Sequence, residues 1–339
     1  MRAAVLSKPA KISERPLVIE DLPDPTPGPG ELCLRVEACA ACRTDLQLVE
    51  GDLPPRRLPI TPGHQVVGVV AAHGPGVSRP PLGSRVGVAW LGRSCGECRF
   101  CRSDRENLCE SARFTGWDRD GGFAEMMTVD AAFAYELEDE CDPVALAPLL
   151  CGGAIGWRCL RVADVRAGGR LGLYGFGASA SIVAQIAVAR GVEVYVVTRS
   201  EKERRRAEEL GAVWTGAPGV RPPVPLDWAI TFAPVGDVVV DALAAVDRGG
   251  IVVVNAIHLD RIPQFPYELL WWERCLRSVA NVTRDDVRGL LREAAATGVR
   301  TRFDVYPLDA ANEALRAIAE GTVNTAAVLV PGAVSLSGP

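Results

Sequence analysis

Four cysteines stand at positions 95, 98, 101 and 109, in the stretch SCGECRFCRSDRENLCE, with the spacing C-x2-C-x2-C-x7-C. Short C-x2-C steps let one loop present several thiolates to a single tetrahedral ion, and zinc accepts four of them. The competing reading, a disulfide scaffold, needs an oxidising compartment. The opening MRAAVLSKPA lacks the apolar core of a secretion signal, and no apolar run approaches the ~20 residues of a membrane span. These features predict a cytoplasmic chain whose eleven cysteines stay reduced, with Cys95, Cys98, Cys101 and Cys109 holding a structural zinc. Four thiolates fill the coordination shell, so such a site staples a loop and cannot catalyse. The chemistry has to lie elsewhere.

At 339 residues the chain has room for two domains of ordinary size. Its net charge of −5, with Lys and Arg dispersed, carries no electrostatic footprint for nucleic acid. The one dense basic run, Lys202 to Arg206, reads as the solvated face of a starting helix. Residues 1–150 show short alternating apolar runs (ELCLRVEACA, QVVGVVAAHG, FAEMMTV) cut by turn signals such as PTPGPG, the pattern of a β-rich barrel or sandwich. From residue 151 to 284 compact apolar strands alternate with helical stretches, which predicts a parallel sheet covered on both faces. Residues 285–339 add two helical segments, a last strand AAVLVP, and a tail GAVSLSGP expected to fray.

Within the middle region, LGLYGFGASASIVAQIAVARG places Gly175-x-Gly177-x-x-Ala180 between an apolar strand and a helix. In that context the pattern reads as a dinucleotide turn. Gly175 serves the tight bend, Gly177 leaves room for a pyrophosphate, and Ala180 lets helix pack on strand. Phosphate would sit at the helix N-terminus, against the backbone of Ala178 and Ser179. The following strand ends in Thr198, Arg199 and Ser200, with Lys202 close behind and no carboxylate at its tip. That composition favours a 2′-phosphate, hence NADP(H), with NAD(H) possible if Arg199 only stacks on adenine or faces solvent.

Only three histidines occur, His64, His73 and His258. His64, in ITPGHQVVGVV, gains weight from Cys42 in CAACRTDLQ and Cys151 in APLLCGGAIGW. Two thiolates and an imidazole make a three-ligand zinc site with an open fourth position, as a catalytic zinc requires. These residues are far apart in sequence, so their meeting is an inference.

Five motifs carry a resemblance over nearly the whole chain: CRTD at 42–45, PGH at 62–64, the four-cysteine lobe, LLCGG at 149–153 and GFGASA at 175–180. The chain resembles the zinc-dependent medium-chain alcohol dehydrogenases, in particular the bacterial branch near the cinnamyl alcohol dehydrogenases. The resemblance implies an α/β Rossmann domain inserted into a GroES-like β-rich catalytic domain. It implies two zinc ions per chain, one structural and one catalytic on Cys42, His64 and Cys151. It also implies that Thr44 passes a proton on through the nicotinamide ribose, that Asp45 orients His64, and that Arg43 and Arg284 reach the cofactor phosphates.

Trp90 and Trp117 fall where such enzymes line the substrate cleft, although core packing suits Trp117 equally. The implied activity is reversible hydride transfer between NADP(H) and primary alcohols or aldehydes, medium-chain or aromatic. Its partners are then small molecules, with neither nucleic acid nor membrane, and the chain is expected to form a homo-oligomer, dimer or tetramer. Three positions depart from the family pattern: Gln65 where relatives carry Glu, Gln47 where many carry His, and Ala180 where the glycine motif usually has Gly, a change the fold tolerates. An amide is a poor acid–base group near neutral pH, so the proton would leave through ribose and water. Cys151 argues against the polyol branch, which tends to use Glu there. The intact ligand set argues against a non-catalytic nucleotide-binding redox sensor. The remaining cysteines, 33, 39, 141, 159 and 275, read as buried or incidental thiols. Trp271 and Trp272 read as a subunit or domain contact.

Overall fold

Strand Glu31–Ala41 organises the first of two compact units, Met1–Cys151 with Thr301–Pro339. It is buried along most of its length because both edges are covered. Gln65–His73 pairs antiparallel along one edge. The other edge is shared: Met126–Asp130 takes its beginning, and the late strand Ala326–Val330 takes its end, with Leu329 opposite Cys39 and Ala327 opposite Ala41. Arg85–Val88 and Ala134–Glu136 extend the sheet beyond Gln65–His73, and Phe303–Pro307 lies parallel outside Ala326–Val330. Leu32, Leu34, Val66, Phe123 and Leu329 form part of the core. The computed structural model describes residues 1–256, 259–323 and 325–332. His258 and residues 333–339 of the tail lie outside the described residues.

The second unit, Gly152–Arg300, holds six parallel strands in the order Trp214–Gly216, Glu193–Val197, Arg170–Tyr174, Leu226–Thr231, Val246–Val254, Cys275–Ser278. The order reverses between Arg170–Tyr174 and Leu226–Thr231, and the glycine turn follows the first of these. Ligands of such sheets bind at the carboxyl ends of the strands beside that reversal. Helices Gly152–Ala163 and Ala178–Ala189 approach closely because Gly156 lacks a Cβ, which would sit 2.5 Å from Val183 Cγ2.

The return to the first unit falls at residue 301, not at 285. Helix Arg284–Thr297 belongs to the second unit because its apolar face, Val287, Leu290 and Ala294, is buried there. The carboxylate of Asp286 also accepts hydrogen bonds from Arg158 and Arg161 of helix Gly152–Ala163 at 2.6 and 2.7 Å. No single helix among the described residues is long and apolar enough to cross a membrane.

Candidate active site

Cys42 closes the central strand and caps helix Arg43–Glu50. The motif CRTD is a capping box in which Sγ of Cys42 accepts from Thr44 N at 3.4 Å. In return, Asp45 Oδ2 accepts from Cys42 N at 2.9 Å. A sulfur at a helix N-terminus faces the positive end of the dipole, which favours its thiolate. Asp45 does more than cap. Its Oδ1 accepts from Gly63 N at 3.1 Å and lies 3.0 Å from Nδ1 of His64. With Nδ1–H donating there, Nε2 turns its lone pair to the site, 3.5 Å from Cys42 Sγ. Both side chains of the Asp45–His64 pair are only 2% exposed.

Cys151 follows the turn Ala147–Leu150, whose Leu150 presses on the glycine at 87. The ligand atoms of Cys42, His64 and Cys151 lie within 4.8 Å of one another. Zinc with bonds near 2.3 Å to sulfur and 2.0–2.1 Å to nitrogen, at a tetrahedral angle, separates the two by about 3.5 Å. The observed geometry therefore fits the ion.

Burial works against a charged His64, but Asp45 and Cys42 outweigh it and push the imidazole up to about 10. The Cys42 thiol is pushed well up, first by the Cys151 side chain and then by burial, with His64 pulling the other way. Were Cys42, His64 and Cys151 to hold a divalent cation, that balance would invert, since coordination deprotonates thiols. Cys39, 0% exposed, is not one of the grouped ligands and packs against Gly63 instead.

The loop carrying His64 is pressed between backbones. Gly63 has φ +99°, and a Cβ there would meet Phe123 Cδ1 at 2.5 Å. Gly121 lies so near that its Cβ would come 1.9 Å from the Gly63 oxygen. Gln65 is buried, its amide donating to Ala40 O at 3.1 Å. The ring of Trp90 lies 4.7 Å from that of His64, tilted by 58°. Trp117 meets Trp90 edge-on at 6.2 Å and donates its indole N–H to Pro54 O. Arg56 stacks on its face at 3.9 Å. Trp90 thus touches His64 directly, whereas Trp117 meets Trp90 and not the His64 ring. His73 spends its Nε2 on Pro80 O.

The other cysteine group is also gathered. The sulfurs of Cys95, Cys98, Cys101 and Cys109 lie within 4.8 Å of one another, with pairs at 3.5 to 3.8 Å. Four sulfurs at about 2.3 Å from one tetrahedral ion stand about 3.8 Å apart, so this set fits zinc as well. Backbone N–H groups of Glu97 and Cys98 pull Cys95 down to about 6, which favours a thiolate. None of the eleven cysteines is in a disulfide.

In the second unit, Gly175 has φ +92°, the left-handed bend that its turn requires. Gly177 is different. Its φ is −89° and a Cβ there would meet nothing within 4 Å. No protein contact demands glycine at this N-cap, so the open space suits a ligand's approach to the N–H groups of Ala178, Ser179 and Ala180. Ala180 is fully buried.

At the end of strand Glu193–Val197 the structure corrects two expectations. A carboxylate does reach the strand end: Glu203 accepts a short hydrogen bond from the buried hydroxyl of Thr198. Sequence reading missed it because Glu203 is brought back by the first turn of helix Glu201–Glu209, which Ser200 caps by accepting from Glu203 N. The basic run is also not a uniformly solvated face. Arg204 and Arg206 are half-buried, Arg204 donating to the carbonyls of Thr198 and Arg199 and Arg206 to Ser181 Oγ. Arg199 and Lys202 are exposed. Arg43 is exposed and donates to Ile318 O at 3.3 Å, and Arg284 opens helix Arg284–Thr297.

Residues 28–139 match the family model of the alcohol dehydrogenase GroES-like domain. The chain is 47% identical over 336 residues to "Probable alcohol dehydrogenase AdhA" of Mycobacterium tuberculosis (strain CDC 1551 / Oshkosh), covering 97% of each chain. Among solved structures, AibC superposes with a TM-score of 0.89 at 28% identity, over 98% of this chain and 96% of that one. A structure described as an NAD-dependent alcohol dehydrogenase gives 0.88 at 25% identity, over 98% and 100%.

Proposed function

Since the chain belongs to the zinc-type medium-chain alcohol dehydrogenases, we propose that it interconverts primary alcohols and aldehydes, medium-chain or aromatic, with NADP(H) preferred to NAD(H). One observation carries the reading: two thiols and one imidazole converge within 4.8 Å, a donor set that leaves zinc a fourth position. Zinc bound there supplies Lewis-acid polarisation of the substrate oxygen, and the nicotinamide supplies the hydride carrier. The protein's own residues do the rest. Asp45 fixes the tautomer and direction of His64 and ties it to the backbone of Cys42. Thr44, on the first turn beside Cys42, offers the hydroxyl that moves the proton. Trp90 supplies an aromatic wall beside His64, which suits aliphatic chains or aromatic rings.

Cys95, Cys98, Cys101 and Cys109 hold the second, structural zinc in this reading, and Gly175 to Ala180 cradle the pyrophosphate. Arg284 and Arg43 add phosphate contacts. The preference for NADP(H) is supported by Arg199 and Lys202, exposed cations at the strand end without a carboxylate partner among the described residues. The second reading, NAD(H), is favoured by the Glu203 carboxylate found there.

Initial rates on a panel of aliphatic and aromatic aldehydes, with NADPH and NADH side by side, test the reading. A kcat/KM at least about tenfold higher with NADPH is expected, and the best aldehyde sizes the pocket. Higher rates with NADH transfer the assignment to the second reading. Chelating the catalytic zinc should abolish turnover while NADPH still quenches tryptophan fluorescence, and turnover after verified zinc loss would sink the metal mechanism. A homo-oligomer is part of the same proposal, supported by the exposed cluster of Tyr267, Trp271 and Trp272 beside the edge strand Cys275–Ser278. Sedimentation velocity of the full chain should show a dimer or tetramer, and a monomer at micromolar concentration removes that part.

A further inference from the structure

The two-stranded sheet of Leu91–Arg93 and Arg113–Phe114 carries a pairing that works against its own stability. Arg93 stands directly opposite Arg113 across the antiparallel ladder. Cross-strand partners share one face, and like charges placed there repel. A sheet of two strands has little stability of its own to offset that cost. Neither guanidinium has a close carboxylate to relieve it. Arg93 Nε lies 3.9 Å from Asp130, beyond hydrogen-bond reach, and Arg113 Nη1 is 3.5 Å from Asp118. Their side chains are 62% and 61% exposed.

Both arginines line a cavity of about 400 Å³ within the first unit. Three carboxylates also line it, and each already has a nearer cation. Glu31 accepts from Arg119 at 2.6 Å, Asp120 from Arg57 at 2.7 Å, and Asp118 from Arg56 at 3.0 Å. Asp118 also accepts from Phe114 N at 2.8 Å. The acids are therefore engaged by other arginines, while the opposed pair keeps most of its N–H donors for an incoming group. Met126, Met127 and Pro25 add apolar lining to the same cavity. Successive strand residues turn to opposite faces, so Phe114 points away from Arg113. Its ring meets Trp90 at 5.9 Å and Trp117 at 5.6 Å. The hairpin thus has the cavity on one face and, on the other, the aromatic group that touches His64.

We propose that this cavity binds a phosphate dianion, free or as the monoester of a small alcohol, clamped between Arg93 and Arg113. A tetrahedral phosphate offers separate oxygens to two forked guanidiniums and cancels the repulsion between them. A single carboxylate presents one planar edge and satisfies one fork. The site shares no residue with Cys42, His64 and Cys151 or with the glycine turn.

Isothermal titration calorimetry of the zinc-loaded full-length protein with inorganic phosphate, phenyl phosphate and malonate tests the site. Phosphate is expected to bind at low salt with a Kd of about 1 mM or below. Arg93→Gln and Arg113→Gln should each weaken it by about tenfold or more, and Arg113→Lys, which keeps the charge but loses the fork, should recover part of that loss. Arg79→Gln removes an exposed charge outside the cavity and should change binding by less than about twofold. Tighter binding of phenyl phosphate assigns the site to a monoester and equal binding to free phosphate, and either result supports the proposal. Thermal unfolding gives a second readout: phosphate should raise the Tm of the wild type and raise that of Arg113→Gln by less than about half as much. Phosphate bound alike by the wild type and both Gln variants sits elsewhere on the protein and overturns the proposal. No measurable binding up to about 10 mM overturns it as well. Malonate bound as tightly as phosphate refutes the assignment to phosphate.

Discussion

Replacing His64 with alanine is expected to lower kcat/KM by at least about 10³-fold and to reduce bound zinc from two ions per chain to one. The loss is large because His64 contributes in two ways. It is one of the three protein donors grouped within 4.8 Å among the described residues, and it receives the orientation that Asp45 provides through Nδ1. Two thiols alone leave too few donors to hold zinc in a site that must keep one position open. The remaining ion should stay on Cys95, Cys98, Cys101 and Cys109, whose geometry involves no atom of the first group. Metal analysis of the purified variant, beside steady-state rates, checks both halves. A variant retaining two zinc ions and more than about a tenth of wild-type activity would show that His64 is not a ligand.

The second large effect is on stability. Asp286 is 1% exposed, yet its carboxylate accepts from Arg158 and Arg161 and from both N–H and O–H of Thr283. It therefore joins helix Gly152–Ala163 to the N-terminus of helix Arg284–Thr297. Removing one partner of a buried pair leaves the other charge without compensation, at about 3–5 kcal/mol. The Arg161 side chain is 45% exposed and recovers some hydration, which places Asp286→Ala towards the lower end of that range. For a unit of this size, ~3 kcal/mol corresponds to a fall in Tm of about 6–12 °C. Asp285 provides the control: it pairs with the same Arg161 at 2.8 Å but is 66% exposed, so Asp285→Ala should cost less than about 1 kcal/mol. Differential scanning calorimetry of the two variants separates them. Equal shifts would mean that burial of Asp286 carries no special weight.

What could be read from the chain before its structure follows the range of the forces involved. The motif CRTD is local: its capping box closes over three residues, so cysteine, threonine and aspartate at those spacings already imply a helix start with a sulfur at its positive end. The four-cysteine loop spans fifteen positions and is similarly self-contained. In the glycine turn, the φ of +92° at Gly175 and the open Cβ direction of Gly177 are properties of a few consecutive residues.

The tertiary structure decided what depends on distant partners. His64 and Cys151 are brought to Cys42 by the sheet, by the glycine-to-glycine contact behind Gly63, and by Leu150 seated over the glycine at 87, none of which has a sequence spacing. The unit boundary at 301 follows from the burial of Val287 and Leu290 and the pairing of Asp286 across more than a hundred residues. Glu203 looked remote from the strand tip, because one helical turn returns a side chain to a place that counting along the chain puts several residues away. Sequence alone determined the residue types and local turns from which each site is made. Folding decided which of them meet, because convergence over long separations depends on burial and backbone packing that no local pattern encodes.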